Sequence, residues 1–161
     1  MAMASSGTAV VTLPADTQIL ISREFAAPKH LVYRVYTTPE LIRRWWAGKR
    51  GRVTSAEVDL RVGGRWRFVM VTPGGFEVAF NGVYREIVAN ERIVNTEVYE
   101  AHPEAEVLDT VTLSESSGRT TLVILVDAPN REVRDAIIES GMEGGMQEGM
   151  DILEQIAIEL M

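Results

Sequence analysis

The end of the chain limits its fold more than any other stretch. Residues 140–161 read SGMEGGMQEGMDILEQIAIELM. Met142, Met146, Gly149, Leu153, Ile156 and Leu160 recur at alternating spacings of four and three, so they form one stripe of a helix. Glu143, Glu148, Asp151, Glu154 and Glu159 take the opposite, water-facing side. The stripe is roughly 30 Å long, from the rise per residue, and something must cover it. Gly141, Gly144, Gly145 and Gly149 crowd its first half. A helix-interior glycine costs roughly 1 kcal/mol relative to alanine, so packing must compensate. Two readings are open. Gly145 and Gly149 leave room beneath the helix, bordered by the adaptable side chains of Met142 and Met146, and the room is a ligand cavity. Alternatively, the helix breaks near Gly141 and the other glycines admit close packing.

What covers the stripe lies upstream. Residues 17–25 (TQILISREF) alternate as a strand, with Ile19, Ile21 and Arg23 on one face. Ala27-Pro28 opens a short helix that buries Leu31, Val32, Val35 and Tyr36. Thr38-Pro39-Glu40 opens a second, carrying Leu41, Ile42, Trp45 and Trp46 and stopping near Gly48. Residues 53–127 then alternate with period two between turn clusters, giving about six antiparallel strands. The strand segments are 53–59, 65–71, 76–88, 92–99, 107–115 and 119–127. Asn130 caps a helix over 131–139 that leads into the last one. Strands grouped apart from helices define an α+β domain over residues 17–161, whose curved sheet receives the terminal helix. Residues 1–16 read as a loose, flexible tail.

Bulk properties exclude several functions. A net charge of −7 gives no basic face for nucleic acid. The chain has no cysteine, which removes disulfides, thiolate metal sites and a cysteine nucleophile. No apolar run reaches membrane-spanning length, and the N-terminus lacks the basic start of a signal peptide. A cytoplasmic protein that avoids membranes is expected. His30 and His102 are far apart and outside metal-ligand spacing, and no serine has patterned triad partners. Neither a metal nor another cofactor is implied.

Three segments carry a family resemblance: REFAAPKHLVYRVYTTPELIRRWW, then VGGRWRFVM with FNGVYREIVANERIVNTE, and ESGMEGGMQEGMDILEQI. Together they resemble bacterial proteins similar to the C-terminal domain of the activator of the Hsp90 ATPase, within the START-like, Bet v 1-like helix-grip superfamily. The resemblance spans about residues 17–160. It implies a curved antiparallel sheet gripping a long C-terminal helix, with two short helices after the first strand and a cavity between sheet and helix.

The expected function is binding of a small, mostly hydrophobic ligand there. Trp66, Phe68 and Met70 share one face of their strand, as do Phe80, Gly82 and Tyr84 of the next. Asn95 and Glu97 alternate with Ile93 and Tyr99; they either bring an amide and a carboxylate into the cavity or sit at a wet rim. Trp45 and Trp46, adjacent on a helix, cannot be equally buried; either one anchors the helix and the other gates the cavity mouth, or both serve only core packing. Tyr84 suits the polar end of an apolar ligand. The ligand set is thus Trp45, Trp46, Trp66, Phe68, Met70, Phe80, Tyr84, Asn95, Glu97, Met142, Met146 and Gly149. One alternative is a cyclase- or hydratase-type enzyme using Glu97. Another is a co-chaperone meeting Hsp90 through the basic run Arg43, Arg44, Lys49, Arg50 and Arg52. A homodimer is compatible with each.

Overall fold

A computed structural model describes residues 8–161. Its elements in chain order are β1 (Val10–Thr12), β2 (Gln18–Phe25), α1 (Lys29–Thr37), α2 (Pro39–Trp45), β3 (Arg52–Val58), β4 (Arg65–Val71), β5 (Glu77–Val88), β6 (Arg92–Tyr99), β7 (Val107–Ser116), β8 (Arg119–Asp127), α3 (Arg131–Glu139) and α4 (Met142–Glu159). The strands form one antiparallel sheet in the order β1-β2-β8-β7-β6-β5-β4-β3. This is the expected α+β helix-grip architecture, with α4 against the concave face and α1 and α2 following β2.

Local sequence accounts for the junctions. Pro39 occupies the first turn of α2, where its missing N–H costs nothing. Asn130 caps α3 by accepting from the Val133 amide at 2.9 Å. Gly141 stands at φ +83 between α3 and α4, so the helical course breaks there as one reading of the glycines required.

One sequence expectation is corrected. Residues 1–7 of the loose tail lie outside the described residues, but 8–16 are not loose. Val10–Thr12 pairs with β2, and Ala9 and Val11 are fully buried. The short strand is held from above as well. Gln147, buried on α4, accepts from the Ala9 amide at 3.0 Å and donates to the Ala9 carbonyl at 2.8 Å.

The main core joins Ile19, Ile21 and Phe25 of β2, Val111 of β7 and Leu122 of β8 to Met150, Leu153, Ile156 and Ala157 of α4. Within it lies a charge. Arg23 shares the inner face of β2 with Ile19 and Ile21 and is only 4 % exposed. Its guanidinium donates to the Met150 carbonyl and to Glu154 at 3.1 Å, and pairs with Asp151 at 3.1 Å. The second oxygen of Glu154 accepts from the Ala26 amide at 2.9 Å. Glu154 is therefore half-buried rather than water-facing as the helical pattern implied. A smaller core packs Ile42 and Ala47, at the α2 end, on Val53 and Ala56 of β3.

Candidate functional site

The site begins where the β5–β6 ladder fails. Phe80 pairs with Tyr99 and Asn81 with Val98, and the next recorded pair is Tyr84 with Asn95, followed by a register shift before Glu86. Gly82 makes the gap. A Cβ there would lie 1.8 Å from the Thr96 carbonyl oxygen and 2.5 Å from Trp66 Nε1. Without one, the Trp66 indole crosses β5 and donates to Thr96 O at 3.2 Å, and Asn95 Nδ2 donates to the same oxygen at 3.1 Å. The Val83 amide turns to Thr96 Oγ1 at 2.9 Å. Tyr84 exchanges backbone bonds with Gly63 and Gly64 of the β3–β4 turn, at 2.8 and 2.9 Å. Side chains and the β3–β4 turn thus replace ladder bonds for the Thr96 carbonyl, the Val83 amide and the Tyr84 backbone.

Polar side chains stand at the break. Ile93 opposes Val111, Asn95 opposes Asp109 and Glu97 opposes Val107, so alternation places Asn95, Glu97 and Asp109 on the inner face with apolar Ile93, Val107 and Val111. Asn95 and Asp109 are each 8 % exposed, and Glu97 is half-buried. The wet-rim reading fails for Asn95. Burial first, then the Glu97 charge and a hydrogen bond with Glu97, push the Asp109 carboxyl well above the usual carboxylate range; Asn95 opposes the shift. The Asp109 carboxyl therefore holds its proton more readily than an exposed one would. Asp109 Oδ1 is buried without an N–H or O–H donor from the protein.

Aromatic residues surround this pair. Burial, followed by the charges of Asp109 and Glu97, raises the Tyr36 hydroxyl far above the usual tyrosine range. Tyr36 itself is half-buried. Its ring stacks on Trp45 at 5.6 Å between centroids, and Trp45 Nε1 donates to the Val35 carbonyl at 3.0 Å. Tyr84, buried opposite Asn95, is likewise raised, chiefly by burial.

The roof differs from the simplest cavity reading. A Cβ on Gly149 would meet the Trp45 carbonyl oxygen at 2.9 Å, so this glycine lets α2 touch α4 and opens no room. The expectation that Gly149 spaces the helix from its cover is overturned by that contact. Gly145 behaves otherwise: an added Cβ meets nothing within 4 Å. Met142 and Met146 are half-buried beside it and pack against the main core. Two open concavities, about 440 and 280 Å³, lie on the other face of the sheet, around Glu57 and Arg65. There Arg67 and then Asn81 bond Glu100 and hold its carboxyl down at about 2.

The sequence-predicted residues therefore divide. Trp45, Trp66, Tyr84, Asn95 and Glu97 come together around the acid pair. Phe68 and Phe80 face each other across β4 and β5, and Trp46 meets both edge-on at 5.5 and 5.6 Å. Met70 packs in the smaller α2 core, away from the acid pair, because its strand end lies under α2. Three residues escaped sequence reasoning: Asp109, Tyr36 as a polar neighbour, and Arg23 as an anchor. Asp109 had a readable signal, since it interrupts the apolar register Val107, Val111, Leu113. Among the described residues no group of three or more His, Cys, Asp or Glu side chains could hold a metal ion.

Residues 26–157 match the family described as "Activator of Hsp90 ATPase homolog 1-like protein". Solved structures resemble the chain throughout. A Rhodobacter sphaeroides protein is 25 % identical with a TM-score of 0.87, covering 94 % of this chain and 99 % of its own. Proteins from Nitrosomonas europaea and Chromobacterium violaceum are 26 % and 27 % identical, with TM-scores of 0.82 and 0.78. They cover 91 % and 89 % of this chain and 97 % and 98 % of their own. No curated protein matches the sequence.

Proposed function

Because the chain belongs to the family of activator of Hsp90 ATPase homolog 1-like proteins, we propose that it binds a small, mostly hydrophobic molecule between the sheet and α4. The observation that carries this reading is the cluster of buried Asn95 and Asp109 with half-buried Glu97, in which one Asp109 oxygen has no hydrogen-bond partner. Alternation would let apolar side chains fill these positions, as Ile93, Val107 and Val111 do beside them. A buried carboxyl pair is costly in an unliganded interior and useful where a ligand's polar end must be fixed. The accessible surface left on Tyr36, Phe68, Phe80, Met142 and Met146, with the open side of Gly145, supplies the apolar walls.

Native mass spectrometry of the protein from its own host tests this. The expected result is a small molecule released on denaturation. A Gly145→Leu, Met146→Trp variant, which fills the open side and leaves Gly149 alone, is expected to fold and lose it. A folded variant that keeps the molecule places the site elsewhere. An empty protein whose tryptophan emission also ignores a panel of neutral apolar compounds overturns the reading.

The carboxyl pair also supports a second reading, acid–base chemistry of the cyclase or hydratase kind, with Asp109 as proton donor and Glu97 as acceptor. Turnover of a polyketide-like compound that is lost in Glu97→Gln supports it; inactivity across such a panel removes it. The co-chaperone reading gains no such feature. Arg43, Arg44 and Arg50 are engaged within the chain, by the Thr54 carbonyl, Glu159 and Glu148.

A further inference from the structure

We infer that the ligand's polar end is a protonated amine, received by Glu97 and Asp109 among the aromatic side chains of Tyr36, Tyr84, Trp45 and Trp66. The inference rests on the ligand-binding reading above and names the chemistry of its ligand.

The argument begins with what the pair lacks. Among the described residues, no Lys, Arg or His ion-pairs or hydrogen-bonds with Glu97 or Asp109. The two buried arginines are committed elsewhere: Arg23 to Met150, Asp151 and Glu154, and Arg134 to Asp135 and the Ala15 carbonyl. From α4, Glu148 pairs with Arg50 and Glu159 with Arg44. The titratable groups close to the pair are the Tyr36 and Tyr84 phenols, both held neutral by burial. Asn95 donates to the Thr96 carbonyl and also bonds Asp109, yet Asp109 Oδ1 stays without a partner. Asp109 is buried with one oxygen unpartnered, Glu97 stands half-buried beside it, and neither has a cationic partner among the described residues.

Ligand chemistry can correct this in one way better than others. An ammonium brings a positive charge and three N–H donors, enough for the unpartnered Asp109 oxygen and for Glu97 together. Tryptophan and tyrosine rings attract the same cation through their π-electron density. An alcohol offers one donor and no charge. A carboxylate adds a like charge to a buried negative site, which is the worst case. The expected ranking is amine, then alcohol, then acid. Pairing with an ammonium also favours ionisation of Asp109, so the amine should displace its proton into solvent.

Three probes of one shape test it: 4-phenylbutylamine, 4-phenylbutan-1-ol and 4-phenylbutyrate, titrated at pH 7 by calorimetry and tryptophan fluorescence. The amine is expected to bind about tenfold or more tighter than the alcohol, with the acid weakest. Calorimetry in two buffers of different ionisation enthalpy should show proton release with the amine and none with the alcohol. This measurement needs no variant. In the Glu97→Gln, Asp109→Asn double variant the amine's advantage over the alcohol should vanish. Equal affinity of amine and alcohol overturns the inference and leaves the binding reading standing, as does an amine preference that survives in the double variant. Failure of all three probes to bind removes the binding reading and the inference with it.

Discussion

Replacing Gly145 and Gly149 separately by alanine should move stability in opposite directions, although both lie in α4 and gain the same helix propensity. Propensity alone favours each alanine by about 1 kcal/mol. At Gly145 nothing lies within 4 Å of the new Cβ, so the gain stands. For a domain of this size it corresponds to a rise of about 2–4 °C in Tm. At Gly149 the Cβ would sit 2.9 Å from the Trp45 carbonyl oxygen and 3.7 Å from Trp45 Cε3. The oxygen is backbone at the end of α2 and cannot rotate away, so α2 must back off α4. Such overpacking costs about 1–3 kcal/mol, which cancels or outweighs the propensity gain. The difference between the two variants isolates the contact, because propensity drops out. Guanidinium denaturation with a shared m-value should place Gly149→Ala about 1–3 kcal/mol below Gly145→Ala. Equal midpoints would refute the close approach of α2 to α4 and revive Gly149 as a spacer over empty room.

Asp109→Asn should flatten the pH dependence of stability. Asp109 binds its proton more tightly folded than unfolded, so the wild type loses stability as pH rises from about 4, the unfolded value, through the raised folded one. The unliganded variant should be the more stable of the two at pH 8, as read by denaturant titration across pH; a wild-type curve flat from pH 4 to 8 contradicts the raised Asp109 carboxyl. Arg23→Met should destabilise by about 3 kcal/mol, the low end for a broken buried pair because Asp151 and Glu154 reach solvent, as read by thermal melts; a loss below about 1 kcal/mol counts against the anchor. Gln147→Met leaves the Ala9 amide and carbonyl without their partner. It should cost about 1–3 kcal/mol and speed hydrogen exchange at the Ala9 amide, and unchanged exchange argues against the clasp.

The element order was legible because each strand from β4 to β8 carries its own alternation and each turn its own glycine, proline or asparagine. What stayed illegible depends on partners distant in sequence. Val10–Thr12 is too short to show a period, and its place is decided by β2 below and Gln147 above. Period-two counting joined Asn95 and Glu97 to Ile93, but only the pairing of β6 with β7 turns that face inward and sets Asp109 beside Asn95. Helical counting put Gly145 and Gly149 near one stripe without saying that one meets a carbonyl and the other meets nothing. Arg23 was placed on the correct face of its strand, and the pattern could not show that Glu154, on the nominally wet side of α4, would turn to meet it.

The two buried charges make different cases for function. The Arg23 charge is answered within the chain by two carboxylates and a helix carbonyl, although its Nε stays unpartnered, so its burial is explained by how α4 is fixed to β2. The Glu97–Asp109 pair has no such answer. A fold needing only a filled interior would place apolar side chains there and keep the β5–β6 ladder whole. Instead Gly82 gives up a side chain so that Trp66 can reach Thr96, and Asn95 donates to the same oxygen beside two carboxyls. The irregular strand pairing, the aromatic lining and the unmet acceptor coincide at one place, on the face that α4 covers. That coincidence supports the proposed ligand site at this place over a purely structural account.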